Sequence, residues 1–198
     1  RLLDALRSNR FQGRCYAINP HASTIAGVTA YPSLRALPEP VDLAVIAVPK
    51  EFVLSVVDDC AETGVRALVV ITAGFAEVGE EGRRLQAQLL ERVRQQGMRM
   101  VGPNCFGILN TDPAVRLNAT FTSTFPLAGS IAMASQSGAL GLALLAASER
   151  LQLGLSTFVS VGNKADGSVN DLLQYLENDP ATKVILLYVE SFGNPRRF

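Results

Sequence analysis

The chain has 198 residues, of which 48% are hydrophobic, and 18 Lys and Arg balance 18 Asp and Glu. That is enough apolar material for one large domain or two small ones. Zero formal charge argues against a nucleic-acid partner, and no apolar run approaches the roughly 20 residues that span a bilayer.

The chain begins at Arg1 without an initiator Met, inside the helix-like RLLDALRSNRF, and so reads as a piece of something longer. These first residues are not a charged-then-apolar leader, and a cytoplasmic location is the expectation. Short apolar runs then follow in order: RCYAIN, LAVIAVP, ALVVITAG, MRMVGPN, SIAMAS, LSTFVSVG and KVILLYVE. Each stops at Gly, Pro, Asn, Ser or Glu, and continuous runs of this kind suit strands buried on both faces.

Between the runs lie helical patterns. In PKEFVLSVVDDCAETG, Val53, Val56, Val57 and Cys60 share one face, with Gly64 placed to end the helix. In EVGEEGRRLQAQLLERVRQQG, Glu80 and Glu81 open the helix, Arg92 and Arg94 close it, and Gly97 follows. That polarity complements the helix dipole. In GSVNDLLQYLEND, Ser168 and Asp171 have the spacing of a capping box.

Strand and helix alternating at this rhythm predict an α/β fold with a mostly parallel sheet. The rhythm breaks over NTDPAVRLNATFTSTFPLAG, from Asn110 to Gly129, and then resumes. The chain is therefore divided into residues 1–125 and 126–198. Cys15, Cys60 and Cys105 are odd in number and far apart, and His21 is the only histidine. Neither a disulfide framework nor a metal site is expected.

In open parallel sheets, ligands bind beyond the carboxyl ends of the strands. The residues there are Asn19-Pro20, Val48-Pro49, Thr72-Ala73-Gly74, Gly102-Pro103-Asn104 and Ser135-Gln136-Ser137-Gly138. Small residues and prolines suit an extended, phosphate-bearing ligand, although the same residues also simply end strands. Ser135 to Gly138 is no nucleophile elbow: the G-x-S-x-G pattern is absent, and no histidine follows Ser137. Two readings stay open, a helix N-terminus that cradles an anion and a plain serine N-cap. Glu190 ends the apolar run ILLYVE as either a site carboxylate or a paired one, and VGNKADG reads as a polar turn. Walker A and G-x-G-x-x-G motifs are absent.

Taken in order, YAINP, PEPVDLAVIAVP, VVITAGFAEVGEEG, VGPNCFGILNT, IAMASQSGAL, VSVGNKAD and NDPATKVILLYVESFGNPRRF resemble the NDP-forming acyl-CoA synthetases. They are similar, more distantly, to the succinyl-CoA synthetase α subunit. The resemblance implies a Rossmann-like CoA-binding domain that lacks its first strand, followed by an incomplete flavodoxin-like ligase domain. It implies that Asn19, Pro20, Val48, Pro49, Ile71, Thr72, Ala73 and Asn104 bind CoA. Ser135, Gln136, Ser137 and Gly138 would hold a phosphate at a helix N-terminus, and Glu190 would be the carboxylate beside a phosphorylated histidine.

That histidine would lie beyond NPRRF, so the chain alone is expected to be inactive. Leu142 stands where the succinyl-CoA relative has a substrate-contacting Tyr. The implied partners are CoA, a small carboxylic acid and an ATP-grasp subunit or domain that binds ATP or ADP with magnesium, in an oligomer without membrane or nucleic acid. The alternative is an acyl-CoA-sensing module fused to a lysine acetyltransferase. A weaker reading, an NAD-binding protein, lacks its acidic residue where NPHAST stands.

Overall fold

The computed structural model describes residues 1–192 and Arg196, and it turns most of the apolar runs into short strands. The end of the resemblance, GNPRRF, falls outside the described residues apart from Arg196. In chain order the first elements are α1 (Leu2–Ser8), β1 (Ala17–Ile18), β2 (Thr24–Ile25), β3 (Val28–Tyr31), β4 (Leu43–Ile46), α2 (Lys50–Glu62), β5 (Ala67–Val70), α3 (Glu80–Gln95) and β6 (Arg99–Val101). They are followed by β7 (Gly107–Asn110), β8 (Leu117–Thr120), β9 (Ala128–Ser135), α4 (Gly138–Arg150), β10 (Leu155–Ser160), α5 (Val169–Glu177) and β11 (Val184–Tyr188).

Strands β4, β5 and β6 form a parallel sheet, with Leu43 opposite Ala67 and Ala67 opposite Arg99. One face packs on the two long helices. Val53, Val57 and Cys60 of α2 and Leu89 and Val93 of α3 are fully buried against Ile46, Leu68 and Val70. The helix signals in the sequence hold: Gly64 and Gly97 take positive φ just past α2 and α3, and Ser168 with Asp171 closes a capping box at α5.

The five-stranded sheet runs β11-β9-β10-β7-β8, parallel across its first three strands and antiparallel across the rest. Helix α4 packs on it through Leu145, against Met133 and Phe158. A Cβ on Gly141 would come within 2.8 Å of the Phe158 ring, so this glycine allows the helix to approach.

Two expectations need correction. The stretch from Asn110 to Gly129 is not irregular throughout, because β8 lies in it and, with β7, hydrogen-bonds into the second sheet. Polar side chains do the closing: Thr120 donates to Asn118 Oδ1 at 2.6 Å, and Asn118 Nδ2 donates to Thr122 O at 3.1 Å. RCYAIN yields only the two-residue β1, which pairs with β3 through Ala17 and Ile18. The ladder is that short, so the rest of the run has no partner strand to make it regular.

Backbone contacts zip the end of β6 to the loop after β10. Asn163 N–H donates to Pro103 O at 2.9 Å, Ala165 N–H to Gly102 O at 3.1 Å and Gly167 N–H to Met100 O at 3.1 Å. Asp166 anchors the zip from beneath, with a side chain only 2% exposed. It accepts from Met100 N–H at 3.0 Å, Arg99 Nε at 2.9 Å and Arg94 Nε at 3.2 Å. The carboxyl ends of the two parallel strand sets therefore face a shared space.

Candidate functional site at the meeting of two strand ends

One wall of that space is built from the loops after β4, β5 and β6. Pro49 is the residue before α2 and offers no side-chain cap; Phe52 N–H donates to Pro49 O at 3.0 Å, which leaves the amides of Lys50 and Glu51 without an intrahelical partner. Thr72 Oγ1 donates to Val48 O at 2.7 Å, which ties the two loops together. Ile71 is buried and Ala73 is exposed. Asn104 adopts φ 55°, and its N–H donates to Thr72 O at 3.0 Å.

Glu77 stiffens this wall. Its carboxylate accepts from Gly74 N–H at 2.5 Å, from Phe75 N–H at 3.2 Å and, across the space, from Asn163 Nδ2 at 2.6 Å. Burial alone would raise this carboxyl, but Asn163 and the backbone N–H groups outweigh it and hold it below the usual carboxylate range. Asn163 also donates to Gln86 Oε1 at 2.9 Å and accepts from Asn104 Nδ2 at 3.3 Å. The polar turn VGNKADG is therefore a brace.

The opposite wall is the start of α4. Ser137 is its N-cap, and its hydroxyl accepts from Leu140 N–H at 3.3 Å, so the cap reading holds at that side chain. The remaining first-turn amides, at Gly138 and Ala139, lack intrahelical partners, so the positive end of the dipole still points outward. Capping and anion binding are compatible here. Ser135 is fully buried and donates to Ser137 O at 2.7 Å, which shapes the loop from beneath. Gln136 Oε1 accepts from Glu190 N–H at 2.9 Å and from Ser191 N–H at 3.3 Å, which fixes the backbone after β11 beside the helix.

Between the walls lies a cavity of about 600 Å³. Ile71, Asn104, Gln136, Ser137, Gly138 and Glu190 line it together. Thr72, Ala73 and Ser135 lie beside these residues in sequence without lining it, Val48 and Pro49 precede α2 and do not line it, and Asn19 and Pro20 stand apart after β1. There Asn19 Oδ1 accepts from His21 N–H at 2.8 Å. Glu77, Cys105, Phe106, Phe121, Ala139, Gly162 and Asn163 also line the cavity, and sequence reasoning missed them. Burial pushes the Cys105 thiol up to about 12, which makes it a poor nucleophile. Among the described residues no group of three or more His, Cys, Asp or Glu is placed to hold a metal, and no helix is long and apolar enough to cross a membrane.

Comparison with known proteins supplies independent information. Residues 1–111 match a family described as a CoA binding domain, and residues 128–198 match a succinyl-CoA ligase like flavodoxin domain. The chain is 45% identical over 186 residues to the α subunit of acetate–CoA ligase [ADP-forming] II of Pyrococcus furiosus, which covers 94% of this chain and 40% of that one. It is 45% identical to acetate–CoA ligase [ADP-forming] I of Archaeoglobus fulgidus, over 95% of this chain and 27% of that one. Among solved structures, the dinucleotide forming acetyl-coenzyme A synthetase 1 of Ca. Korarchaeum cryptofilum superposes with a TM-score of 0.92 at 47% identity. That match covers 98% of this chain and 42% of the other. The chain thus spans less than half the length of each of these relatives.

Proposed function

Because the chain belongs to the family of ADP-forming acyl-CoA synthetases, with a Rossmann-like CoA-binding domain and a flavodoxin-like ligase domain, we propose that it is the CoA-binding part of such an enzyme. The whole protein would join a small carboxylic acid to CoA at the expense of ATP, giving acyl-CoA, ADP and phosphate. One observation carries this reading: a single cavity is lined by Ile71 and Asn104 from one sheet and by Ser137, Gly138 and Glu190 from the other.

In this reading the division of labour follows from position. Val48-Pro49 and Ile71 to Ala73 form the edge along which CoA lies, and Asn19-Pro20 faces its nucleotide end. The first turn of α4 holds phosphate with its unpaired amides, at the positive end of a 13-residue helix. Glu190 orients the imidazole of a phosphorylated histidine supplied from outside these residues. ATP and magnesium are bound by an ATP-grasp part of the assembly, in the cytoplasm. The division of the chain near residue 125 belongs to this proposal; β7 and β8 cross it by joining the second sheet. A sensing module fused to an acetyltransferase would share the CoA site. The ligase names of the relatives favour the synthetase.

Thr72→Glu is expected to weaken CoA binding at least about tenfold, since it sets a carboxylate against a phosphate-bearing ligand and breaks the bond to Val48. Pro49→Gly, which frees the loop before α2, should weaken it less. Calorimetric titration of CoA into both variants checks this, and unchanged affinity in both removes the mapping.

A further inference from the structure

The chain has three lysines, Lys50, Lys164 and Lys183. Lys164 lies between two stretches that line the cavity: Gly162 and Asn163 precede it, and Ser191, which its ammonium holds, follows Glu190. That ammonium donates to the carbonyl of Ser191 and, at 2.8 Å, to its hydroxyl. The loop carrying the lysine is fixed on both sides, because Lys164 N–H donates to Val161 O at 3.0 Å and Ala165 N–H to Gly102 O at 3.1 Å. Burial holds the ammonium below its ordinary pKa, and the Glu190 carboxylate only partly offsets this. Neutral amine, the form that attacks a carbonyl, is therefore more populated here than on an unperturbed lysine.

The other two lysines are placed differently. Lys50 opens α2, and its stem lies against Gly74, where an added Cβ would come within 2.8 Å of Lys50 Cδ. Lys183 precedes β11, with its N–H donating to Ser130 O at 2.9 Å. The five residues of β11 separate it from the cavity end of that strand by roughly 16 Å.

We propose that Lys164 is a site of self-acylation: a thioester held in the cavity transfers its acyl group to Nζ, and the modified lysine then weakens phosphate binding at the first turn of α4. This deepens the proposed function and rests on it. The neutral amine attacks the thioester carbonyl, the C–N bond forms and the C–S bond breaks. The proton lost from nitrogen leaves with the departing sulfur, so the products are an amide and free CoA, and no other reactant is needed. The amide has one N–H, so it keeps at most one of the two bonds to Ser191, and it no longer places a positive charge near Glu190. Gly138, Ala139 and Glu190 line the same cavity. A phosphate at those amides then meets the carboxylate without the cation that offset it, and Coulomb repulsion lowers its affinity. Acyl-CoA that accumulates would in this way slow the site that makes it.

The test incubates the protein with acetyl-CoA, with and without excess CoA, and reads acetyl occupancy at the three lysines by mass spectrometry. Lys164 should be acetylated about tenfold or more faster than Lys183, and excess CoA should suppress the reaction at Lys164 but not at Lys183. Inorganic phosphate should then bind about threefold or more weakly to the treated protein than to the untreated one. Lys164→Arg, which keeps the charge and carries no amine to acylate, should show no such fall after the same treatment. If calorimetry shows that CoA binds but the lysines react at equal rates, or Lys50 reacts fastest, self-acylation at Lys164 is overturned while the CoA reading stands. Acetylated Lys164 with unchanged phosphate affinity overturns the feedback. If the protein binds neither CoA nor acetyl-CoA, the CoA reading fails, and the proposal falls with it.

Discussion

Gly162→Ala should lower stability by about 3 kcal/mol and abolish the cavity as a binding site. Gly162 sits at φ 54°, where an L side chain costs about 1 kcal/mol or more. Its Cβ would lie 2.4 Å from Pro103 O, which accepts from Asn163 N–H in the zip between the loops, and 2.5 Å from Asn104 O. Relief requires the two loops to part, a packing cost of roughly 1–3 kcal/mol added to the strain. Gly64 provides the contrast: its φ is 82°, but an added Cβ meets nothing within 4 Å. Gly64→Ala should therefore cost only the conformational part, about 1 kcal/mol. Denaturant midpoints of the two variants separate clash from strain.

Asp166→Ala should cost roughly 2–4 kcal/mol, and the loss should depend on pH. Arg99 and Arg94 are 66% and 61% exposed and can turn to water, but the buried Met100 N–H loses its acceptor. Burial alone would raise the Asp166 carboxyl; the hydrogen bonds from Arg99, Met100 and Arg94 outweigh it and hold the carboxyl below its ordinary value. A carboxyl lowered on folding contributes stability above its unfolded pKa of about 3.9, and that contribution fades as pH falls through the folded value. The gap between the parent and Asp166→Ala should accordingly be full at about pH 6 and narrow below about pH 4. A gap that stays constant into acid would show that packing, rather than the charge, sets the cost.

The parts of this fold that were legible in the sequence depend on local chemistry. The acid-to-base order of α3, the Ser168–Asp171 box and the glycines after α2 and α3 each involve residues a few positions apart. Strand β8 was illegible because its closing contacts come from Asn118 and Thr120, residues whose pattern resembles a loop. The site shows the same division. Strand-end loops point to the cavity, so Asn104 and Ser137 could be found, whereas Ile71 came from the family resemblance. Glu77 and Asn163 could not, because their role exists only once loops 86 positions apart meet. Phe121 lies in the stretch read as irregular, and nothing local marks its pairing with Phe106. The cap at Ser137 also needed the structure, which shows the hydroxyl accepting from Leu140 N–H while Gly138 and Ala139 line the cavity.

In the proposed function CoA lies along the β4 and β5 loops, with phosphate at the first turn of α4. Amide chemical-shift mapping, with CoA and then inorganic phosphate added to the isotope-labelled protein, tests it most directly. CoA should move the resonances of Val48, Lys50 and Thr72 to Gly74, and phosphate those of Gly138 and Ala139. Shifts confined to other surfaces, or none with either ligand, would contradict it.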